Sequence, residues 1–223
     1  MKMKIALDGP SGAGKSTVAK ALAKKLGIIY VDTGALYRTV GLYVRNKGVC
    51  KDDEEKVIAL LPEIDLGMEF INGEQIVTLN GTNVGDTIRT GEIAMYASRV
   101  SAIPEVRAFL LETQRKIARE NSVVMDGRDI GTVILPDAEV KIFMFASAEA
   151  RAERRYKELI AKGENCTLES VLEDIKTRDH NDSTRKTAPA IPAEDAVMLD
   201  NSMLDIEGTV NAVIDIIKSK VEL

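Results

Sequence analysis

The chain has 223 residues, 45% hydrophobic and 29% charged, with a formal net charge of −5. That length suits one sizeable core, or one core carrying a small inserted subdomain, and the acidic balance argues against a nucleic-acid binder, so any anionic ligand must meet local cationic clusters. Two cysteines, Cys50 and Cys166, and one histidine, His180, exclude a disulfide scaffold, a thiolate metal site and a His-rich zinc site.

Both thiols are expected to be buried and apolar, in a reducing compartment. No run approaches the ~18 apolar residues of a membrane span, and Met1-Lys-Met-Lys enters a strand without a secretory h-region. A soluble, cytoplasmic protein with no membrane partner is expected.

In chain order, Lys4–Asp8 reads as a buried strand, followed by the glycine-rich turn Gly9–Gly14. Lys15–Leu26 carries Val18, Leu22 and Leu26 at helical spacing, with Gly27 as a stop. Ile28–Val31 is a second strand, Gly34–Asn46 a helix ending at Gly48, and Asp52–Leu61 a helix entered through acidic residues. Then the texture changes. Met68–Ile71, Glu74–Leu79 and Thr82–Val84 read as strands joined by Asn72-Gly73 and Asn80-Gly81, the pair that supplies the positive φ angles of type I′ turns. Such a meander predicts an inserted antiparallel subdomain.

Helical texture returns over Gly91–Glu120, broken near Pro104. Ser122–Met125 and Val140–Phe145 are apolar runs of strand length, predicted to lie centrally in a parallel sheet. Ala148–Ala161 and Leu168–Asn181 read as helices, Ala196–Leu199 as a last strand, and Ile206–Lys220 as a closing amphipathic helix. Alternating strands and helices imply right-handed crossovers and a doubly wound α/β sheet.

The strongest motif is Gly9-Pro-Ser-Gly-Ala-Gly-Lys15-Ser16, a G-x-x-x-x-G-K-[ST] phosphate loop between a strand and a helix. Its glycines let backbone N–H groups turn inward around the β- and γ-phosphates, at the positive end of a helix. The nucleotide-binding set is Gly9, Pro10, Ser11, Gly12, Ala13, Gly14, Lys15, Ser16 and Thr17. Lys15 offers a point charge to the transferring group and Ser16 a hydroxyl to Mg²⁺. Val123-Val-Met-Asp126 ends an apolar strand in a carboxylate, making Asp126 a second Mg²⁺-side candidate.

No N/T-K-x-D run marks a guanine-specific GTPase, and no LSGGQ-like run a transporter ATPase. A small-molecule kinase remains, with arginines spread along the chain. Arg151, Arg154 and Arg155 share one helical face at i, i+3 and i+4. On spacing alone this is either a seat for an anion or a solvated face paired through Glu153–Lys157 and Arg154–Glu158. Arg178, Asp182 and Arg185 have the spacing of intrahelical ion pairs. Ser98 and Arg107 read as surface positions of a helix. The acceptor stays open at this point between CMP, UMP, AMP and other small acceptors, and a slowly hydrolysing nucleotide-gated module stays open beside it.

Asp8–Lys15, Asp32-Thr-Gly-Ala-Leu-Tyr-Arg38, Asp126-Gly-Arg-Asp-Ile-Gly-Thr132, Ala150-Arg-Ala-Glu-Arg-Arg155 and Arg178-Asp-His-Asn-Asp-Ser-Thr-Arg185 stand in an order that resembles bacterial cytidylate kinases over nearly the whole chain. Thr33 stands where some members carry Ser, and either hydroxyl can donate the same bond. The resemblance implies one kinase unit. Its core covers about 1–33, 121–147 and 186–223, a monophosphate-binding region with the β insert about 34–120, and a helical lid about 148–185. It implies Arg128, Arg154 and Arg155, beside Lys15, as catalytic. It implies Thr33, Arg38, Ser98, Arg107, Arg128, Asp129, Arg178, Asp182 and Arg185 as CMP-binding, with Arg38, Arg128 and Arg185 on phosphate, Arg178 and Asp182 on ribose, and Ser98, Arg107 and Asp129 on cytosine. The implied reaction moves a phosphoryl group from ATP to CMP, and to dCMP, with Mg²⁺, in a monomer without a nucleic-acid partner.

Overall fold

The computed structural model describes residues 2–71 and 73–222. Five parallel strands form the central sheet: β1 (Lys4–Asp8), β2 (Ile29–Asp32), β6 (Val123–Asp126), β7 (Val140–Phe145) and β8 (Val197–Asp200), in the order β2-β6-β1-β7-β8. Side chains alternate across it, as strand period demands. Ile5 and Leu7 of β1, Val124 of β6, and Val140, Ile142 and Met144 of β7 pack with Val18 and Leu22 of α1 (Lys15–Leu26) and Val213 and Ile217 of α8 (Ile206–Lys220). Ala6, Val31, Val123 and Met125 face the other way, against Ile117 and Ala118 of α5 (Pro104–Glu120) and Ile130 and Ile134 of a π-helical turn, Ile130–Ile134. Helices thus cover both faces, and the sheet is doubly wound.

The meander is real and antiparallel: β3 (Leu66–Ile71), β4 (Glu74–Leu79) and β5 (Thr82–Asn83). Asn80 and Gly81 adopt φ of 50° and 78°, the two positive values a type I′ turn requires. Asn72, in the other Asn-Gly pair, lies outside the described residues. A second core gathers under the meander from α2 (Thr33–Asn46), α3 (Glu54–Leu60), α4 (Gly91–Val100) and the start of α5, around Leu36, Val40, Val44, Val57, Val100 and Leu110. α6 (Ala148–Ala161) and α7 (Leu168–Thr184) pack on each other through Ala152, Val171 and Ile175.

Several boundaries differ from expectation, each for a local reason. The α2 helix begins at Thr33 rather than Gly34 because the Asp32 carboxylate accepts from Ala35 N at 3.0 Å and caps it. Asp53 caps α3, which therefore starts at Glu54 rather than Asp52 and passes into a 3₁₀ turn at Leu61. Ladder pairing moves β2, β6 and β8 one residue later than predicted, so that each ends on an aspartate. β3 starts two residues early, opposite Leu79, and β5 stops at Asn83. The break near Pro104 spans 101–103, and α7 runs three residues beyond Asn181. Neither cysteine is a buried core thiol: Cys50 is exposed and Cys166 half-buried, and both are free.

Candidate active site

The phosphate loop leaves β1 at Gly9, whose φ is 142°. A Cβ there would lie 1.9 Å from the Met144 carbonyl oxygen, so only glycine lets the loop pass β7 this closely. Gly12 and Gly14 also take positive φ, 76° and 85°. The loop is braced from outside: Arg151 Nη1 donates to Ser11 O at 2.9 Å and Asn201 Nδ2 to Ala13 O at 2.9 Å. Lys15 is buried, with Nζ on the carbonyls of Gly9 and Pro10 at 2.8 and 2.7 Å. Burial, and then the Arg128 charge, hold its ammonium well below the usual lysine range.

Across the loop, Asp126 at the end of β6 accepts from Ser16 Oγ at 2.7 Å on one carboxylate oxygen and from Tyr30 Oη at 3.0 Å on the other. Burial first, then the neighbouring Asp32 carboxylate, push Asp126 up to about 6, against Lys15 and the two hydroxyls. Burial beside Asp126 and Asp32 likewise holds the Tyr30 phenol protonated, above its ordinary range. Ser16 and Asp126 place two hard oxygen donors side by side. No group of three or more His, Cys, Asp or Glu suited to a metal exists among the described residues. That pair without a cage fits Mg²⁺, which keeps its waters and shares one or two protein oxygens with nucleotide phosphates.

Asp8, the last residue of β1, accepts from Ile130 N at 2.8 Å and Gly131 N at 2.7 Å. Burial pushes it up to about 6 in spite of those two bonds. It joins the foot of the phosphate loop to the Asp126–Thr132 segment and so to Arg128 and Asp129.

A second group of predicted residues faces this segment. Asp129 is 3% exposed and ion-paired with Arg107 Nη2; Arg185 Nη2 stands 3.9 Å from its other oxygen. Arg107 donates to Ser101 O at 3.0 Å and lies over the Tyr37 ring, and Arg185 donates to Ser101 Oγ at 3.2 Å. Arg107 is therefore not a surface arginine, as expected from helical position alone, but a buried one. Ser98 is half-buried one turn before, its carbonyl accepting from Ser101 Oγ at 2.9 Å. Thr33, 2% exposed, donates to the Asp126 carbonyl at 2.7 Å.

The intrahelical pairs Arg178–Asp182 and Asp182–Arg185 do not form among the described residues. Asp182, 6% exposed, instead accepts from Arg128 Nε at 3.0 Å, because α7 turns that face toward the sheet. Arg178 keeps a buried Nε without a partner, and burial plus the Arg128 charge bring it down to about 10. Arg38, half-buried, spends Nη1 on Ile88 O at 3.1 Å and is lowered by burial, with Arg128 and Arg155 adding to the effect. Arg38, Arg128 and Arg178 thus stand close enough to feel one another's like charge, with Asp182 paired to Arg128, an arrangement that an anion relieves.

On α6, neither expected i,i+4 pair is present among the described residues. Arg151 is buried and bidentate on Asp179 at 3.0 and 2.6 Å, so it does not repel Arg155 across an open face. Arg154 Nη2 donates to Asn201 O at 2.7 Å, and Arg155 pairs with Glu158 at 3.2 Å near the surface. Sequence reasoning missed Tyr30, Asp32, Gln75, Arg89, Asp179 and Asn201. Asp32 sits inside a quoted motif, yet its links to Gln75 from β4 (2.7 and 3.1 Å) and to Arg89 (2.8 Å) cross 43 and 57 residues, a separation that spacing does not reveal. A 360 Å³ cavity lined by Tyr37, Arg107, Leu111 and Gln114 adjoins the Asp129 network, whereas a 740 Å³ concavity between α2, β4 and α4 contains none of these residues.

A strand–phosphate loop–helix unit on a doubly wound sheet, with a hydroxyl–carboxylate pair beside it and an arginine cluster opposite, defines a P-loop phosphotransferase. In fold the chain is similar to a crystal structure of an uncharacterised protein from Eubacterium ventriosum (TM-score 0.53, 15% identity, 98% of this chain and 99% of that one). The family model for cytidylate kinase matches residues 5–219. Cytidylate kinases of Thermosipho melanesiensis (49% identical, all of both chains) and Caldicellulosiruptor saccharolyticus (48%, 96% of this chain and 95% of that one) are among its relatives. The chain belongs to the cytidylate kinase family.

Proposed function

We propose that this chain transfers the terminal phosphoryl group of ATP to CMP, and to dCMP, giving ADP and CDP or dCDP. The observation that carries the acceptor is Asp129, a buried carboxylate held between Arg107 and Arg185, on a segment tied through Asp8 to the phosphate loop. A carboxylate accepts from the amino group of cytosine, while arginine and serine serve its carbonyl and ring nitrogen. Ser98 and Arg107 are the partners in that reading. Arg178 and Asp182 take the ribose, and Arg38, Arg128 and Arg185 the acceptor phosphate, where guanidinium forks match phosphate oxygens. The Thr33 hydroxyl turns from the Asp126 carbonyl to the acceptor.

Residues Gly9 to Thr17 wrap the donor phosphates, with Lys15 Nζ leaving two loop carbonyls for the transferring group. The bond from the terminal phosphorus to its bridging oxygen breaks as a bond to an acceptor phosphate oxygen forms, in line. Mg²⁺ held at Ser16 and Asp126 supplies charge neutralisation. The acceptor oxygen is already anionic, so no strong base is needed. Residues 148–185 act as the lid, bringing Arg154 and Arg155 onto the phosphates and excluding water, while 34–120 hold the monophosphate against a core of 1–33, 121–147 and 186–223. The active unit in this reading is a monomer.

The test is ADP release over a panel of nucleoside monophosphates, with and without acceptor. ATP consumption that requires CMP or dCMP supports the reading. A preference for UMP or AMP, or hydrolysis without any acceptor, overturns it.

A further inference from the structure

Tyr30 lies on β2, paired in register with Val124, and Asp32 pairs with Asp126 two residues on. Strand alternation puts the side chains of Tyr30, Val124 and Asp126 on one face of the sheet, and two residues of strand advance about 6.7 Å. That advance is about the reach of a tyrosine side chain. Tyr30 Oη accordingly arrives at Asp126 at 3.0 Å, while its ring is buried under α1, with Lys20 Nζ 5.9 Å from the ring centre. A leucine or phenylalanine would fill the same core space; the hydroxyl is what packing does not explain.

The two oxygens of Asp126 are held in different ways. Oδ2 meets Ser16, which belongs to the phosphate loop and has its own role toward the nucleotide. Oδ1 meets Tyr30, part of the core sheet. With Ser16 alone, the carboxylate could turn about its Cβ–Cγ bond and offer either oxygen. With Tyr30 bonded, one oxygen is fixed inward and the other is aimed at the loop.

We infer that Tyr30 is a positioning residue for phosphoryl transfer, orienting Asp126 toward the metal-bound phosphates of the donor. This rests on the reading of Ser16 and Asp126 as the Mg²⁺ side of the site. Partners that orient a carboxylate near a metal are commonly worth 10- to 100-fold in metal affinity.

Calorimetric binding of ATP to the full chain, with Mn²⁺ as the probe metal and again in EDTA, separates the possibilities for Tyr30→Phe and Asp126→Asn. Tyr30→Phe is expected to weaken Mn²⁺–ATP binding about 10-fold, with metal-free ATP binding and KM for CMP unchanged. Asp126→Asn is expected to weaken it at least as much. If Asp126→Asn shifts the metal-dependent binding and Tyr30→Phe does not, the phenol is only a core side chain and the inference fails while the metal-side reading stands. Equal weakening of ATP with and without metal by Tyr30→Phe also overturns it, as general distortion. If neither variant alters metal-dependent binding, the metal-side reading itself fails and this inference with it.

Discussion

The carboxylate of Asp8 accepts the N–H of Gly131, 123 residues further along, at 2.7 Å, and that of Ile130 at 2.8 Å. One buried side chain thereby sets the distance between the loop that would hold the donor and the segment carrying Arg128 and Asp129. Gly131 is suited to the contact, since a Cβ there would stand 3.4 Å from Asp8 and 3.2 Å from the Lys141 side chain.

Lys15→Met is expected to lower kcat by roughly 10²-fold or more, the scale of lost transition-state charge stabilisation. The fold should persist, because the change removes a buried ammonium whose bonds among the described residues are to two loop carbonyls. Steady-state kinetics with a thermal unfolding curve checks this; unchanged turnover in a folded variant refutes the phosphate-loop assignment.

Arg155→Ala should leave stability nearly unaltered, since its exposed pair with Glu158 is of the kind worth ~0–1 kcal/mol. Its kcat should nevertheless fall more than its affinity for CMP, because the phosphate contact forms on closure. Arg154→Ala should share the kcat defect and cost some stability as well, through the lost bond to Asn201 O. Paired measurements of kcat and CMP dissociation decide the matter. Normal catalysis in both folded variants removes Arg154 and Arg155 from the catalytic set.

Asp129→Ala should reduce kcat/KM for CMP far more than for UMP. A carboxylate that accepts from the cytosine amino group opposes the lone pairs of the uracil carbonyl, and buried polar mismatches are costly. The variant should also lose stability, by about 3 kcal/mol, because Arg107 is left buried without its partner. Equal loss for both acceptors makes Asp129 structural.

Asp126 predicts a pH dependence with a definite sign. Its carboxyl is raised in the fold from 3.8 to about 6, so the folded state binds that proton more tightly than the unfolded one. The contribution is complete below pH 4 and disappears as pH rises through about 6. By linkage it amounts to about 3 kcal/mol. The stability of Asp126→Asn relative to the parent chain should accordingly increase by that order between pH 4 and pH 7.5, measured by denaturant unfolding without metal. A constant difference across this range contradicts the raised carboxyl.

What the sequence determined by itself is local. Glycine spacing, apolar periodicity and Asn-Gly pairs place the phosphate loop, the helices and the meander, because each depends on residues within a few positions of one another. β4, β7, α6 and α8 fall where the pattern sets them. The partners of charged side chains were a different matter. Arg178, Asp182 and Arg185 have the spacing of ion pairs within one helix, yet Asp182 answers to Arg128 and Arg185 faces Asp129. Arg107 looked like a surface residue and is buried on Asp129, and Arg151 is neutralised by Asp179 from α7. Tyr30, read only as part of the second strand, holds Asp126. Only the tertiary structure decides these, because a charge taken from water must be paired by whichever opposite group the packing brings within reach, and that group lies 22 to 56 residues away.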